Sequence, residues 1–88
     1  MQYFRHYKGN FYRLIGEARH SETLDAMIVY QALYRHTDDG KTIPAPEGAE
    51  IWVRPKEMFF ETVTLPDGNV VPRFAEVTEE EFLANINT

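Results

Sequence analysis

Two apolar segments flanking a polar knot, between Phe11 and Tyr34, constrain the fold more than any other feature of this chain. The first segment is Phe11-Tyr12-Arg13-Leu14-Ile15-Gly16, and the second is Met27-Ile28-Val29-Tyr30-Gln31-Ala32-Leu33-Tyr34. β-Branched and aromatic residues of this kind lose rotamer freedom in a helix and pack well on a pleated surface. The second segment is apolar on both faces of an extended chain, which predicts a heavily buried strand. Helical spacing of Leu24, Ile28 and Gln31 offers a helix over 22–34 as the alternative, but Ile28-Val29-Tyr30 are poor helix formers. The knot, Ala18-Arg19-His20-Ser21-Glu22-Thr23-Leu24-Asp25, then joins two strands of one small barrel. Ser21 is an alternative helical N-cap there.

The remaining elements follow from turn signals. Tyr3-Phe4-Arg5-His6-Tyr7 reads as a strand, Lys8-Gly9-Asn10 as a turn, and Phe11 to Glu17 as its hairpin partner. Gly16 marks a bulge or a close backbone approach. Residues 35–49 read as a long loop, because Asp39-Gly40, Pro44 and Pro46 interrupt any regular element. Glu50 to Arg54 is a strand ended by Pro55, and Pro55 to Phe60 a single helical turn with proline at its start. Glu61–Leu65 and Val70–Val77 form a hairpin about Pro66-Asp67-Gly68-Asn69, and Pro72 places the second of these strands at an edge. Thr78-Glu79-Glu80-Glu81 has the layout of a capping box, opening a helix over 78–87 with Phe82, Leu83 and Ile86 as its apolar stripe. Trp52, Val29, Phe59, Leu14 and Tyr30 are the expected core.

The predicted fold is therefore mainly β: a small SH3-like barrel or roll over residues 2–77, with a short C-terminal α-helix, in one domain spanning 1–88. A domain of 88 residues buries only about 60–65% of its unfolded surface, so its 12 aromatic residues must supply much of the core. The chain has no cysteine, which excludes disulfides, zinc–thiolate sites and thiol nucleophiles and fits a reducing cytoplasm. No apolar run approaches the length of a membrane span, and the first residues lack the basic-then-apolar layout of a signal peptide. A cytoplasmic protein is expected.

Net charge is −5 but unevenly spread. Arg5, Lys8, Arg13, Arg19 and Arg35 outnumber Glu17, Glu22 and Asp25 over residues 1–35, and the remainder is strongly acidic. An acidic chain is a poor general binder of nucleic acid, whose affinity comes from neutralising phosphates, while a local basic face remains available. His6, His20 and His36 match no common zinc spacing, so no metal is expected. Gly-rich phosphate loops are absent, and no cofactor is expected.

The chemistry-bearing residues concentrate in Arg19-His20-Ser21-Glu22. His20 titrates near neutrality and has the makings of a general base, with Glu22 to orient it and Ser21 as nucleophile or ligand contact. Adjacent residues on extended backbone point to opposite faces, however, and triads assemble from distant positions. A polar loop whose Ser and Glu satisfy local backbone groups is the plain structural account. Arg54, at a strand end before Pro55, presents a planar fork suited to a carboxylate or phosphate; an ion pair with Glu22 or Glu57 is its structural account.

Four blocks, in order, carry a family likeness: His6-Tyr7-Lys8-Gly9 with Tyr12; Ala18 to Thr23; Val29-Tyr30 with Leu33-Tyr34; and Trp52-Val53-Arg54-Pro55 with Met58-Phe59. From about His6 to Phe74 the chain resembles a small bacterial family known as domain of unknown function 1653. The resemblance implies an SH3-like β fold and a bacterial cytosolic protein, and it implies no activity. The 36–49 loop and the acidic C-terminal helix depart from the family pattern.

Three functions compete. The first is a binding module for an anionic small molecule or peptide, with Arg19, His20, Ser21, Glu22 and Arg54 lining a shallow cleft at one barrel end. The second is a small enzyme using His20 and Glu22 in acid–base chemistry. The third is a protein-interaction module working through exposed aromatics.

Overall fold

The computed structural model describes residues 2–86. Nine strands and two helices follow one another as β1 (Gln2–His6), β2 (Phe11–Arg19), β3 (Ala26–Ala32), β4 (Tyr34–His36), β5 (Thr42–Pro44), β6 (Ile51–Pro55), α1 (Lys56–Phe59), β7 (Thr62–Thr64), β8 (Val70–Pro72), β9 (Phe74–Val77) and α2 (Glu79–Ile86). The mainly β reading and the short C-terminal helix are borne out. Residue 87 and the Ile86 side chain, which the expected helix included, lie outside the described residues.

Five strands form one antiparallel sheet in the order β6-β3-β2-β1-β9. The β1–β2 turn closes with His6 N–H donating to the Asn10 carbonyl at 2.8 Å, and Gly9 takes the positive φ of 111° that this turn requires. A bulge falls between Leu14 and Gly16, beside the glycine that marked one. The helical alternative over 22–34 is excluded, since Ala26–Ala32 pairs on both sides, with β2 and β6.

Barrel closure is the point at which the expectation needs correcting. β6 and β9 are the two edges of an open sheet. The segments that a barrel would spend on closing strands form two separate hairpins instead, β4–β5 and β7–β8. The expected Met27–Tyr34 strand breaks at Leu33, whose carbonyl accepts from Ala45 N–H at 2.9 Å, and the expected 35–49 loop contains the β4–β5 pairing. Likewise Val70–Val77 divides at Arg73, just after Pro72, which has no N–H to continue a ladder.

Alternation along the strands sends apolar side chains to two clusters. Phe4, Ile28, Tyr30, Phe59 and Phe74 are buried on one face, with Tyr12 and Leu14 packed against them. Phe59 comes from α1 and plugs this cluster; its ring stacks on Phe74 at 4.2 Å and meets Phe4 and Tyr30 edge-on at 5.2 and 5.3 Å. On the opposite face α2 lays Phe82 on Phe11 and Leu33, with Tyr3 and Val77 alongside. Thr78 caps α2 as its sequence predicts, its Oγ1 accepting from Glu81 N–H at 3.0 Å.

Phe59 and Tyr30 are thus core residues, whereas Leu14 and Val29 are half-buried. Trp52 is a correction: it is 47% exposed. It sits opposite Tyr30, but β6 is an edge strand, with no strand beyond it among the described residues to cover the indole. That exposure makes Trp52 a wall of the site described next.

Candidate functional site

The polar knot is a self-braced turn. His20 N–H donates to the Asp25 carbonyl and Leu24 N–H to the His20 carbonyl, both at 2.9 Å. His20 Nδ1 accepts from the backbone N–H groups of Glu22 and Thr23 at 3.1 and 3.3 Å, so the ring acts as a cap within the turn. Arg19 Nη1 donates to the Leu24 carbonyl at 3.2 Å. Arg19, His20, Ser21 and Glu22 are all exposed. The hollow nearest the turn, about 370 Å³, is lined by Asp25, Ala26, Pro55, Lys56, Glu57 and Met58.

Arg54 faces elsewhere. It lies opposite Ile28 in the β3–β6 ladder, and its side chain runs inward over the cluster that Phe59 plugs. Its Nε donates to Tyr30 Oη at 3.4 Å, and its guanidinium lies 5.6 Å from the Phe74 ring centroid. Tyr12, Tyr30, Tyr34, Trp52 and Arg54 line one groove of about 200 Å³. Register explains their meeting. Leu14 opposite Tyr30 and Tyr12 opposite Ala32 bring the Tyr12 and Tyr30 rings together, at 5.4 Å. Beyond the break at Leu33, Tyr34 reaches back so that its hydroxyl hydrogen-bonds that of Tyr12 at 3.1 Å. Trp52 and Arg54, two residues apart on one strand, point to the same face.

A second hollow of about 310 Å³ adjoins the first, sharing Tyr34 and Trp52 and adding Arg35, His36 and Glu50. None of the tyrosines was singled out from the sequence as a site residue. The available signal was the parity of Tyr30 with Trp52 and Arg54 once β3 and β6 are paired.

The groove's lining holds a cation and no carboxylate, although the chain is acidic. Among the described residues Arg54 has no carboxylate within ion-pairing distance, whereas Arg73 is paired with Glu61 at 2.7 Å and Lys56 with Glu17 at 2.6 Å. The expected ion pair of Arg54 with Glu22 or Glu57 does not form. His6 abuts the same cluster, 4.9 Å from the Phe74 ring. Burial first, then the charges of Arg54, Arg73 and Lys8, hold its imidazole below the ordinary histidine value, which favours the neutral form. Burial, and then the hydrogen bond with Tyr34, push the Tyr12 phenol well above its ordinary value, so it stays a neutral hydroxyl. The groove thus offers tyrosine hydroxyls, aromatic walls and one fixed cation. His6, His20 and His36 stand on β1, the β2–β3 turn and β4, and no group of three metal-ligating side chains converges among the described residues.

A family model described as "Protein of unknown function (DUF1653)" matches residues 2–76. The chain belongs to this family. A solved structure of a family member from Bordetella bronchiseptica is 35% identical, covering 85% of this chain and 82% of that one, with a TM-score of 0.67. A bacterial relative and a shared small β fold are therefore established. No curated protein matches the chain. No helix among the described residues is long and apolar enough to cross a membrane.

Proposed function

We propose that this protein is a small cytoplasmic binding module for an anionic small molecule or peptide, and that the anion is held by Arg54 in the tyrosine-lined groove. One observation carries the reading: a half-buried guanidinium is fixed by Tyr30 and Phe74, has no acidic partner among the described residues, and stands beside an open indole. Taking a cation partly out of water is costly unless a charge repays it. Bidentate pairing with a carboxylate or phosphate is what a planar guanidinium does best. Trp52 and Tyr34 add flat apolar surface, so the favoured ligand joins an anionic group to a ring or another planar body.

The geometry supports the groove over the β2–β3 turn, where Arg19 and His20 are spent on backbone groups. Of the five residues singled out in sequence, Arg54 is the one carried into the proposal. An acid–base enzyme built on His20 and Glu22 draws no support from a ring whose Nδ1 caps its own turn.

A thermal-shift comparison of acetate, inorganic phosphate, benzoate and phenyl phosphate tests this. A ligand at ten times its Kd adds about 1.4 kcal/mol by linkage, roughly 6–11 °C for a domain of this size. The ring-bearing anions should raise the melting temperature more than acetate or phosphate, and Arg54→Met should abolish the difference. Equal responses from wild type and Arg54→Met would refute the assignment.

A further inference from the structure

The free edge of β6 carries a second feature, on the strand that also gives Trp52 and Arg54 to the groove. β6 pairs with β3 on one side and with no strand on the other among the described residues. Pro55 pairs with Met27 and has no N–H, so Met27–Pro55 occupies a position without hydrogen bonds in the ladder. Alternation then makes Trp52 and Arg54 the residues bonded to β3, and turns the N–H and C=O of Ile51 and Val53 outward. Their side chains face away from the groove and are 61% and 60% exposed. Natural sheets guard such an edge with lysine, proline, a bulge or a covering loop, and Pro55 guards only the last residue of β6. Here the exposed side chains at 51, 52 and 53 are all apolar.

We propose that two copies of this chain pair antiparallel through β6, centred on Trp52, to form one continuous ten-stranded sheet. The strand is self-complementary in that register. Ile51 falls opposite Val53 of the second copy, and each such pair exchanges two backbone hydrogen bonds. Trp52 faces its own symmetry mate at the close, non-bonded position, where aromatic pairs contribute most. Glu50 falls opposite Arg54, so both ends of the ribbon place unlike charges across from one another, whereas parallel pairing in register would set like against like. The isologous two-fold arrangement closes on itself and leaves no further edge at β6. Because the Arg54 guanidinium lies inward over Phe74, Glu50 of the second copy attracts it from the rim and leaves the groove open. A single five-residue strand buries less than a standard stable interface, so association belongs in the micromolar-to-millimolar range.

Amide hydrogen exchange and sedimentation of the wild-type protein across that range provide the test. Mass should rise with concentration toward twice the 10.3 kDa of one chain. Over the same range the N–H groups of Ile51 and Val53 should gain protection while those of Trp52 and Arg54, already bonded to β3, should not change. Val53→Lys should hold the protein at the monomer mass with an unaltered circular dichroism spectrum, and Glu50→Lys should weaken association roughly tenfold. A wild type that stays monomeric at millimolar concentration overturns the proposal. So does a dimer in which Ile51 and Val53 N–H groups stay unprotected, or one that Val53→Lys leaves intact.

Discussion

Replacing Phe59 by alanine separates the core the molecule uses from the one its composition advertises. Phe59 is fully buried, with 0% of its surface exposed, and its ring contacts Phe74, Phe4, Tyr30 and Phe60 at centroid distances of 4.2, 5.2, 5.3 and 5.0 Å. Truncating a phenylalanine this enclosed costs about 3–5 kcal/mol, transfer and cavity terms together. At roughly 4–8 °C per kcal/mol for a domain of this size, a loss of about 4 kcal/mol lowers the melting temperature by some 16–32 °C. Total stability of about 4–13 kcal/mol is expected for a chain of this length, so a large part of it disappears. Trp52 has the larger side chain but is 47% exposed, and its truncation should cost no more than about 2–3 kcal/mol at ~25 cal/mol per Å². The assay is urea denaturation followed by circular dichroism, with both variants beside wild type. A Trp52→Ala protein as unstable as Phe59→Ala would refute the placement of the core and of the groove wall together.

Five further outcomes follow from the geometry. Thr78→Ala removes the α2 cap and should cost about 1 kcal/mol in the same denaturation assay. Leu24 holds a positive φ of 65° while largely exposed; Leu24→Gly relieves a strain of roughly 1 kcal/mol, and its melting temperature should not fall. His6 binds its proton less readily folded than unfolded, so its contribution to stability is intact above the ordinary histidine value of 6.5 and is lost as pH falls below it. His6→Asn should flatten that acid limb in denaturation curves, and Arg54→Met should raise the His6 pKa in an NMR titration, because Arg54 is one of the charges that lower it. Tyr12 has the opposite sign: its phenol is held protonated in the fold, so stability declines as pH rises past the ordinary tyrosine value of 10.0, and Tyr12→Phe should remove that decline.

Local chemistry made much of the fold readable. Gly9, Pro66-Asp67-Gly68-Asn69 and Thr78 each dictate a turn or cap through their own backbone preferences, and each feature stands where expected; Pro55 instead closes β6 in extended backbone, and α1 starts one residue later at Lys56. What stayed hidden depends on pairing between distant segments. A strand's hydrophobicity says that it is buried, not whether it lies in the middle of a sheet or at its edge, so hydrophobicity alone predicts Trp52 in the core. The β4–β5 hairpin is short and contains Pro44, so its sequence carries the signals of a loop. Polar density drew attention to Arg19–Glu22, yet those residues serve the backbone of their own turn. The groove is assembled from Tyr12, Tyr30, Tyr34, Trp52 and Arg54, which only strand register and the break at Leu33 bring together. Of these, Arg54 alone announced itself, because its charge invited the question of what it pairs with.

The chain's single tryptophan makes the central claim directly measurable. In a ¹⁵N-labelled sample titrated with phenyl phosphate, the Trp52 indole N–H resonance should move saturably, and the Arg54 Nε–H should move with it, while the backbone resonances of Ser21 and Glu22 stay in place. In Arg54→Met the Trp52 movement should vanish although the spectrum elsewhere remains that of the folded protein. A Trp52 resonance that does not respond in wild type, or one that responds equally without Arg54, would contradict anion binding in the tyrosine groove.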